Sequence, residues 1–174
     1  MEKPDAYHAF EILYWCGLRC GETLALTPAD FDFKRSVIKV TKTFQRIKGR
    51  DVVTPPKTPK SNREVVMPKF LAEEMMEYLS QRGAKSDERI FVETKSYLRN
   101  EMDRCSKIAG VKRIRLHDLR HSHVSLLIDM GFTALAIADR MGHESASITY
   151  KYAHLFPTTQ TDMAKALDNG RRTL

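Results

Sequence analysis

Between residues 36 and 67 the apolar pattern of this chain changes period, and that change limits the folds open to it. Before it, "DAYHAFEILYWC" (residues 5–16) repeats apolar residues at helical spacing, with Asp5 placed to cap the start. "GETLALTPADFDF" continues with a short helix from about Glu22, stopped at Thr27-Pro28, where a turn or a new helical start is expected. Within the changed segment, "SVIKVTKTFQ" and "REVVMP" are rich in β-branched residues and read as strands, with "KGRD" as a hairpin turn. The intervening "TPPKTPKSN" holds too much proline to pair as a regular strand and reads as an extended basic loop. Helical spacing then returns. "KFLAEEMMEYLSQ" places Leu71, Met75, Tyr78 and Leu79 on one face, and residues 95–109 form another helix. In "HDLRHSHVSLLIDMG" the stripe is Leu119, His123, Leu126, Leu127 and Met130, closed by Gly131. "TALAIADRMG" starts at a Thr133 cap and ends at Gly142, and two more short helices are expected over 145–152 and 158–168. The class is mainly α with a small antiparallel β-sheet (α+β), the sheet being a minor insertion in a helical domain.

A chain of 174 residues supports one domain with a real core. Its formal net charge of +7 points to a polyanionic partner, either nucleic acid or an anionic membrane surface. Nucleic acid is favoured, because no apolar run approaches the roughly 20 residues that span a bilayer. The first residues, "MEKPDAYHAF", lack the basic-then-apolar order of a signal peptide. Cys16, Cys20 and Cys105 make no zinc spacing; Cys16 and Cys20, four apart on a helix, read as small core residues. A reducing, intracellular compartment is expected.

Four stretches hold residues suited to chemistry. In "LHDLRH", His117 and Arg120 lie at i, i+3 and share a helix face. That pairing suits a phosphate, with a guanidinium fork for two oxygens and an imidazole for a third contact or a proton, although such pairs also occur on solvated faces. His117 and His121 at i, i+4 have a zinc-like spacing, but no glutamate follows His117 and no further donor set completes a metal site. In "CGLRCGETLAL", Arg19 stands where glycines interrupt a helix, with Glu22 three residues on, either as a ligand-binding arginine with its supporting carboxylate or as a surface pair. "PPKTPKSNR" carries Lys57, Lys60 and Arg63 within seven residues, a solvated loop or a phosphate-backbone contact. In "GHESASITYKYAH", His143 precedes two tyrosines, Tyr150 and Tyr152. On a helix, residues two apart point about 200° from one another, so the two cannot both face one phosphate.

Together these residues answer one chemical need. Breaking a phosphodiester without a metal or cofactor requires cations around the non-bridging oxygens, a nucleophile, and an acid for the leaving hydroxyl. A free tyrosine, with a pKa near ~10, is only about one-thousandth phenolate at neutral pH; nearby cations are expected to lower that pKa.

The order of these motifs resembles the catalytic domain of the tyrosine recombinases, particularly integrases of phages and conjugative transposons, over nearly the whole chain. "GLRCGETLAL" resembles the family's first-arginine motif, "KTPKSNREVVMP" its β-hairpin lysine motif, "LHDLRHSHVSLL" its His-x-x-Arg box and "MGHESASITYKYAH" its closing box. The resemblance implies that Arg19 and Arg120 clamp the scissile phosphate and that Lys57 protonates the departing 5′ hydroxyl. Lys60, three residues on, could compete with Lys57. His117 would hold the phosphate and could accept the tyrosine proton, and His143 would donate a hydrogen bond to a phosphate oxygen. The nine-residue offset from His143 selects Tyr152 as nucleophile and leaves Tyr150 for packing or an interface. Glu22 and Asp118 would be supporting groups, and Lys42, Lys60, Arg63 and Arg115 DNA contacts, with Lys112 and Arg113 beside them.

The partner implied is double-stranded DNA, engaged as a homo-tetramer by the full-length protein, with a monomer in its absence and no membrane. A cytoplasmic setting, bacterial or phage-encoded, follows from the resemblance. Residues 1–174 would be a single catalytic domain, without the core-binding and arm-binding domains that precede it in such integrases. Residues 153–174 resemble the family's tail, whose helix packs on a neighbouring protomer. Two other outcomes of the same residues are a type IB topoisomerase-like or telomere-resolvase activity and a catalytically silent DNA-binding domain.

Overall fold

The computed structural model describes residues 3–56, 58–83, 85–144, 152, 164–165 and 167–169. In order along the chain come α1 (Pro4–Trp15), α2 (Cys20–Ala25), β1 (Phe31–Asp32), β2 (Val37–Val40), β3 (Thr43–Ile47), β4 (Arg50–Thr54), β5 (Arg63–Val66), α3 (Lys69–Arg82), α4 (Lys95–Ile108), α5 (Leu116–Asp129) and α6 (Ala134–Met141). Single 3₁₀ turns stand at Pro28–Asp30 and Pro59–Ser61. The mainly helical architecture with small antiparallel sheets agrees with the class expected from the sequence. Lys57, Tyr150 and, apart from Tyr152, the helix expected over 145–152 lie outside the described residues. Of the helix expected over 158–168, residues 164–165 and 167–168 are helical, as is residue 169 beyond it, and the rest also lies outside the described residues.

The β segment forms two sheets where one was expected. β2 is the centre of a three-stranded antiparallel sheet, paired with β1 on one side and with β5 on the other, in the register Ile38↔Val65. β3 and β4 form a separate hairpin, running from Thr43↔Thr54 to Ile47↔Arg50. "SVIKVTKTFQ" is therefore two strands, interrupted at Thr41–Lys42. Val37, Ile38 and Val40 are buried against the helices, whereas the hairpin stands largely in solvent, anchored by Phe44. The guanidinium of Arg89 lies 3.8 Å over the Phe44 ring. The hairpin turns at Lys48-Gly49, both with positive φ (49° and 79°), as a two-residue turn matched to strand twist requires.

The principal core joins Ile12 of α1, Leu24 of α2, Ile38 of β2, Leu71 and Met75 of α3, Leu98 of α4 and the connecting Ile90 and Phe91. Full burial of a side chain of this size contributes roughly 1.5–3 kcal/mol, so this cluster is the main source of the domain's cohesion. The expected α3 face is the buried one: Leu71, Met75, Tyr78 and Leu79 all lie inside. Asp5 differs from expectation. Lys3 holds the cap position and Pro4 starts α1, while the Asp5 carboxylate accepts from Tyr78 Oη and Arg82 Nη1, both at 2.6 Å, and ties α1 to α3. Cys16 and Cys20 do not share a helix, because Gly17 separates α1 from α2; Cys16 is buried and Cys20 partly so.

A smaller cluster of Val124 and Ile128 from α5 with Ile137 and Met141 from α6 holds the C-terminal helices together, and the Tyr152 ring packs on it. The buried stripe of α5 is Leu116, Arg120, His123, Val124 and Ile128; of the set read from the sequence His123 lies inside and Leu127 partly so, whereas Met130 is exposed. The stripe lies one residue further along, a rotation of about 100° about the helix axis. The cause is Arg120, a charged residue that turns inward to bond the backbone. α6 matches expectation at both ends: Thr133 Oγ1 accepts from Ala136 N at 3.2 Å, and Gly142 closes it in the left-handed conformation.

Candidate active site

Arg19 owes its position to the break between α1 and α2. Gly17 has φ +65°, and a Cβ there would lie 2.5 Å from His123 Cδ2, so both the turn and the close contact with α5 require glycine. The next turn begins with Arg19 as the residue capping α2. Glu22 accepts from the Arg19 backbone N at 2.8 Å and from its Nη1 at 2.7 Å. The same carboxylate accepts from Arg63 Nη1 at 3.2 Å and Nη2 at 3.0 Å. Burial would raise the Glu22 pKa, but Arg63 and Arg19 together hold it below the usual carboxylate range. Glu22 is thus the buried anion on which two guanidinia are set.

Arg120 is the hub of the site. It is buried, with Nη1 donating to Gly17 O at 2.6 Å and Nη2 to Met141 O at 2.7 Å and to His143 Nε2 at 3.1 Å. One guanidinium therefore fixes the α1–α2 turn and the end of α6 relative to α5. Burial, then the nearby charge of Arg19, pushes its pKa down to about 9, so it stays charged at neutral pH. Because an arginine N–H can only donate, His143 Nε2 accepts, and the ring proton of the neutral imidazole resides on Nδ1. Burial, then Arg120 and Arg19, pushes His143 down to about 4, so the ring is neutral at physiological pH.

His117 sits on the first turn of α5, exposed, with its ring edge-on to that of His121 at 4.5 Å between centroids. Burial of its inner side, with His121 and Arg120, lowers its pKa. Asp118 supports the helix start: it accepts from Arg115 N at 2.8 Å and from Arg115 Nη2 at 2.9 Å, and Arg115 pushes its pKa down to about 2.

Tyr152 presents its hydroxyl to Nδ1 of His121. Cations were expected to lower its pKa. Burial of the ring against the α5–α6 cluster instead raises it, with Arg120 pulling the other way. Arg19, His117, Arg120, His121, His143 and Tyr152 surround one cavity of about 250 Å³, walled by Val124 and Met141. Five of the six residues singled out by resemblance therefore meet at one place. The sixth, Lys57, lies outside the described residues; Pro56 and Thr58 line an adjoining cavity of about 460 Å³ that also touches Arg19, Glu22 and His143. Among the described residues no three His, Cys, Asp or Glu side chains are placed to hold a metal ion.

The residues expected to touch DNA divide into two kinds. Lys60 and Arg115 are exposed, Lys60 Nζ donating to Glu144 O at 3.0 Å and Arg115 pairing with Asp118. Lys42 and Arg63 are turned inward, contrary to the reading of the basic stretches. Lys42 Nζ bonds Thr27 Oγ1 at 3.1 Å and the Asp30 carboxylate at 2.8 Å. Arg63 also donates to Arg140 O at 3.0 Å and Ser61 O at 3.1 Å, and so braces the site from behind. Of the neighbouring cations, Lys112 is exposed and Arg113 pairs with Asp103 at 2.6 Å. Sequence reading missed a cationic depression of about 820 Å³ that runs from Arg19 and His117 past Arg46, Lys95 and Arg99. Arg46 lies on β3 and the other two on the first turns of α4, so only the fold assembles them. Gly21 brings β3 close to α2 there, since a Cβ would meet Thr43 Oγ1 at 2.6 Å.

A mainly helical frame converges two guanidinia, imidazoles and a tyrosine side chain on one cavity, a set of groups suited to a phosphate. Residues 3–159 match the phage integrase family model, and the chain belongs to that family. It is 34% identical over 180 residues to the ICEBs1 integrase of Bacillus subtilis (strain 168), an alignment covering 92% of this chain and 48% of that protein. It is 26% identical over 181 residues to the integrase of Staphylococcus phage L54a, covering 92% of this chain and 51% of the other. The chain thus spans about half the length of these curated relatives. The Tn1549 transposon integrase, solved in complex with a circular intermediate DNA, superposes with a TM-score of 0.78 at 22% identity, over 94% of this chain and 58% of that one. The catalytic domain of bacteriophage HP1 integrase gives 0.64 at 20% identity, over 93% of this chain and 82% of that one. At those identities the two structures establish the fold.

Proposed function

We propose that this chain is the catalytic domain of a site-specific DNA recombinase that cuts and rejoins strands through a 3′-phosphotyrosyl intermediate. The observation that carries the reading is that Tyr152 lines the same cavity as Arg19, Arg120, His117 and His143. The phosphate oxygens would be held by Arg19 and Arg120, with His117 and His143 as further donors. Tyr152 Oη gives up its proton to a neighbouring imidazole and attacks phosphorus, the P–O5′ bond breaks, and Lys57 protonates the leaving 5′ oxygen. The phosphodiester energy is kept in the tyrosyl link, so a 5′ hydroxyl from a partner strand reverses the step without a cofactor. Duplex DNA tracks the cationic depression of Arg46, Lys95 and Arg99, with Lys60 and Arg115 as outer phosphate contacts, and the full-length protein acts as a tetramer on DNA. No helix among the described residues is long and apolar enough to cross a membrane, and the work is assigned to the cytoplasm, bacterial or phage-encoded, where the DNA is.

The test uses a pool of nicked duplexes of randomised sequence, in which cleavage releases a short fragment and traps the enzyme. A covalent adduct resistant to denaturation, absent in Tyr152→Phe, is expected. Relaxation of supercoiled plasmid without recombinant products would place the chain with the type IB topoisomerases. Salt-dependent binding with no adduct on any member of the pool would make it a silent DNA-binding domain.

A further inference from the structure

Tyr152 has two imidazoles at hand, and they are not equivalent. His117 and His121 follow one another on the same face of α5, ring edge against ring face. The Tyr152 hydroxyl is hydrogen-bonded to Nδ1 of His121, with the two rings tilted at 47°. His117, one turn nearer the start of the helix, lines both the small cavity and the cationic depression beside it, the proposed track of the DNA. The arrangement separates two tasks that one histidine would otherwise share, holding the phosphate and taking the phenol proton.

We infer that His121 is the group that exchanges the proton of Tyr152, a catalytic role resting on the strand-transfer reading above. A hydroxyl that donates to Nδ1 requires that nitrogen to be bare, so Nε2 carries the ring proton of the neutral imidazole. In cleavage the O–H bond of Tyr152 breaks as Nδ1–H forms, and the phenolate Oη bonds to phosphorus while the P–O5′ pair leaves with the 5′ oxygen. In rejoining, the 5′ hydroxyl gives its proton back to Lys57 and attacks phosphorus, the P–Oη bond breaks, and Nδ1–H returns its proton to Oη. The need is concrete, because burial keeps the Tyr152 phenol in its protonated form and so makes a positioned acceptor necessary.

Two variants separate proton transfer from mere positioning. His121→Asn keeps a hydrogen-bond acceptor near the Nδ1 position and has no basic nitrogen; His121→Ala removes both. Both are expected to bind the randomised nicked pool as the parent does and to form adduct about 10²-fold more slowly or worse, within the usual range for a general base. Added imidazole should recover part of the rate of His121→Ala. Adduct formation by His121→Asn at the parent rate would overturn the assignment, since an acceptor alone would then suffice. In the DNA-free protein, ¹⁵N resonances of the histidine rings should show His121 Nδ1 bare and hydrogen-bonded, shifting in Tyr152→Phe; an unmoved signal would also overturn it. A parent chain that shows this coupling but forms no adduct would overturn the strand-transfer reading and the catalytic role of His121 with it, leaving the contact as structure.

Discussion

Replacing Glu22 with alanine should destabilise the domain and disorder the site in one step. The side chains of Glu22 and Arg63 are 4% and 7% exposed, and the carboxylate makes two bonds to Arg63 and two to Arg19. Removing one partner of such a buried pair leaves an uncompensated charge and costs about 3–5 kcal/mol. Arg63 keeps its bonds to the Arg140 and Ser61 carbonyls, so the lower end applies, about 3 kcal/mol. For a domain of this size that is roughly 6–12 °C in Tm. Glu22→Gln keeps the shape without the charge and should lose about half as much, in line with the ~1.5–3 kcal/mol of charge-assisted bonds. The pH dependence has a definite sign. The folded carboxylate is held below its unfolded value near ~4.3, so its contribution is fully present above that value and is lost as pH falls through the lower folded pKa. Urea unfolding of parent and variant from pH 7 to pH 3 measures both effects. A loss under ~1 kcal/mol at neutral pH, or a difference that does not shrink on acidification, would refute the buried-anchor argument.

Arg120→Lys should unfold the site although it keeps the charge, because one ammonium cannot reach Gly17 O, Met141 O and His143 Nε2 together. We expect a loss of several degrees in Tm and of adduct formation, both measurable on the purified variant. His123 and His143 are each pushed down to about 4, chiefly by burial. The unfolded chain therefore binds more protons between about pH 6.5 and 4, and stability should decline across that window as pH falls. Ring C–H signals of either residue titrating near the free value would contradict this. Lys95→Ala with Arg99→Ala should weaken DNA binding alike on all sequences and lower the salt slope by about 0.9 for each phosphate contact removed, in a fluorescence titration over salt concentration. An unchanged slope would take the DNA out of that depression.

How far the sequence foretold the molecule depended on whether each signal was local. The helix ends at Thr133 and Gly142, the apolar face of α3 and the glycine break before Arg19 rest on residues adjacent in the chain, and each was legible. The α5 face was misplaced by one residue because periodicity counts apolar side chains, and the inward group there is a guanidinium that bonds backbone carbonyls of two other elements. Lys42 and Arg63 read as free cations for the same reason; their carboxylates, Asp30 and Glu22, are brought to them only by the fold. The grouping of Arg19, His117, Arg120, His143 and Tyr152 was legible through family resemblance, since they are spread over more than 130 positions of the chain. His121 was seen only as a metal-like spacing partner of His117. The tyrosine it meets is 31 residues away, and no local pattern announces that contact.

In the proposed reaction one hydroxyl, that of Tyr152, does the chemistry. Protease digestion of the trapped adduct, followed by mass spectrometry of the nucleotide-bearing peptide, tests it most directly. A single modified site is expected, Tyr152, linked to the 3′ phosphate of the cleaved strand. A nucleotide on Tyr150, or an adduct that persists in Tyr152→Phe, would contradict it.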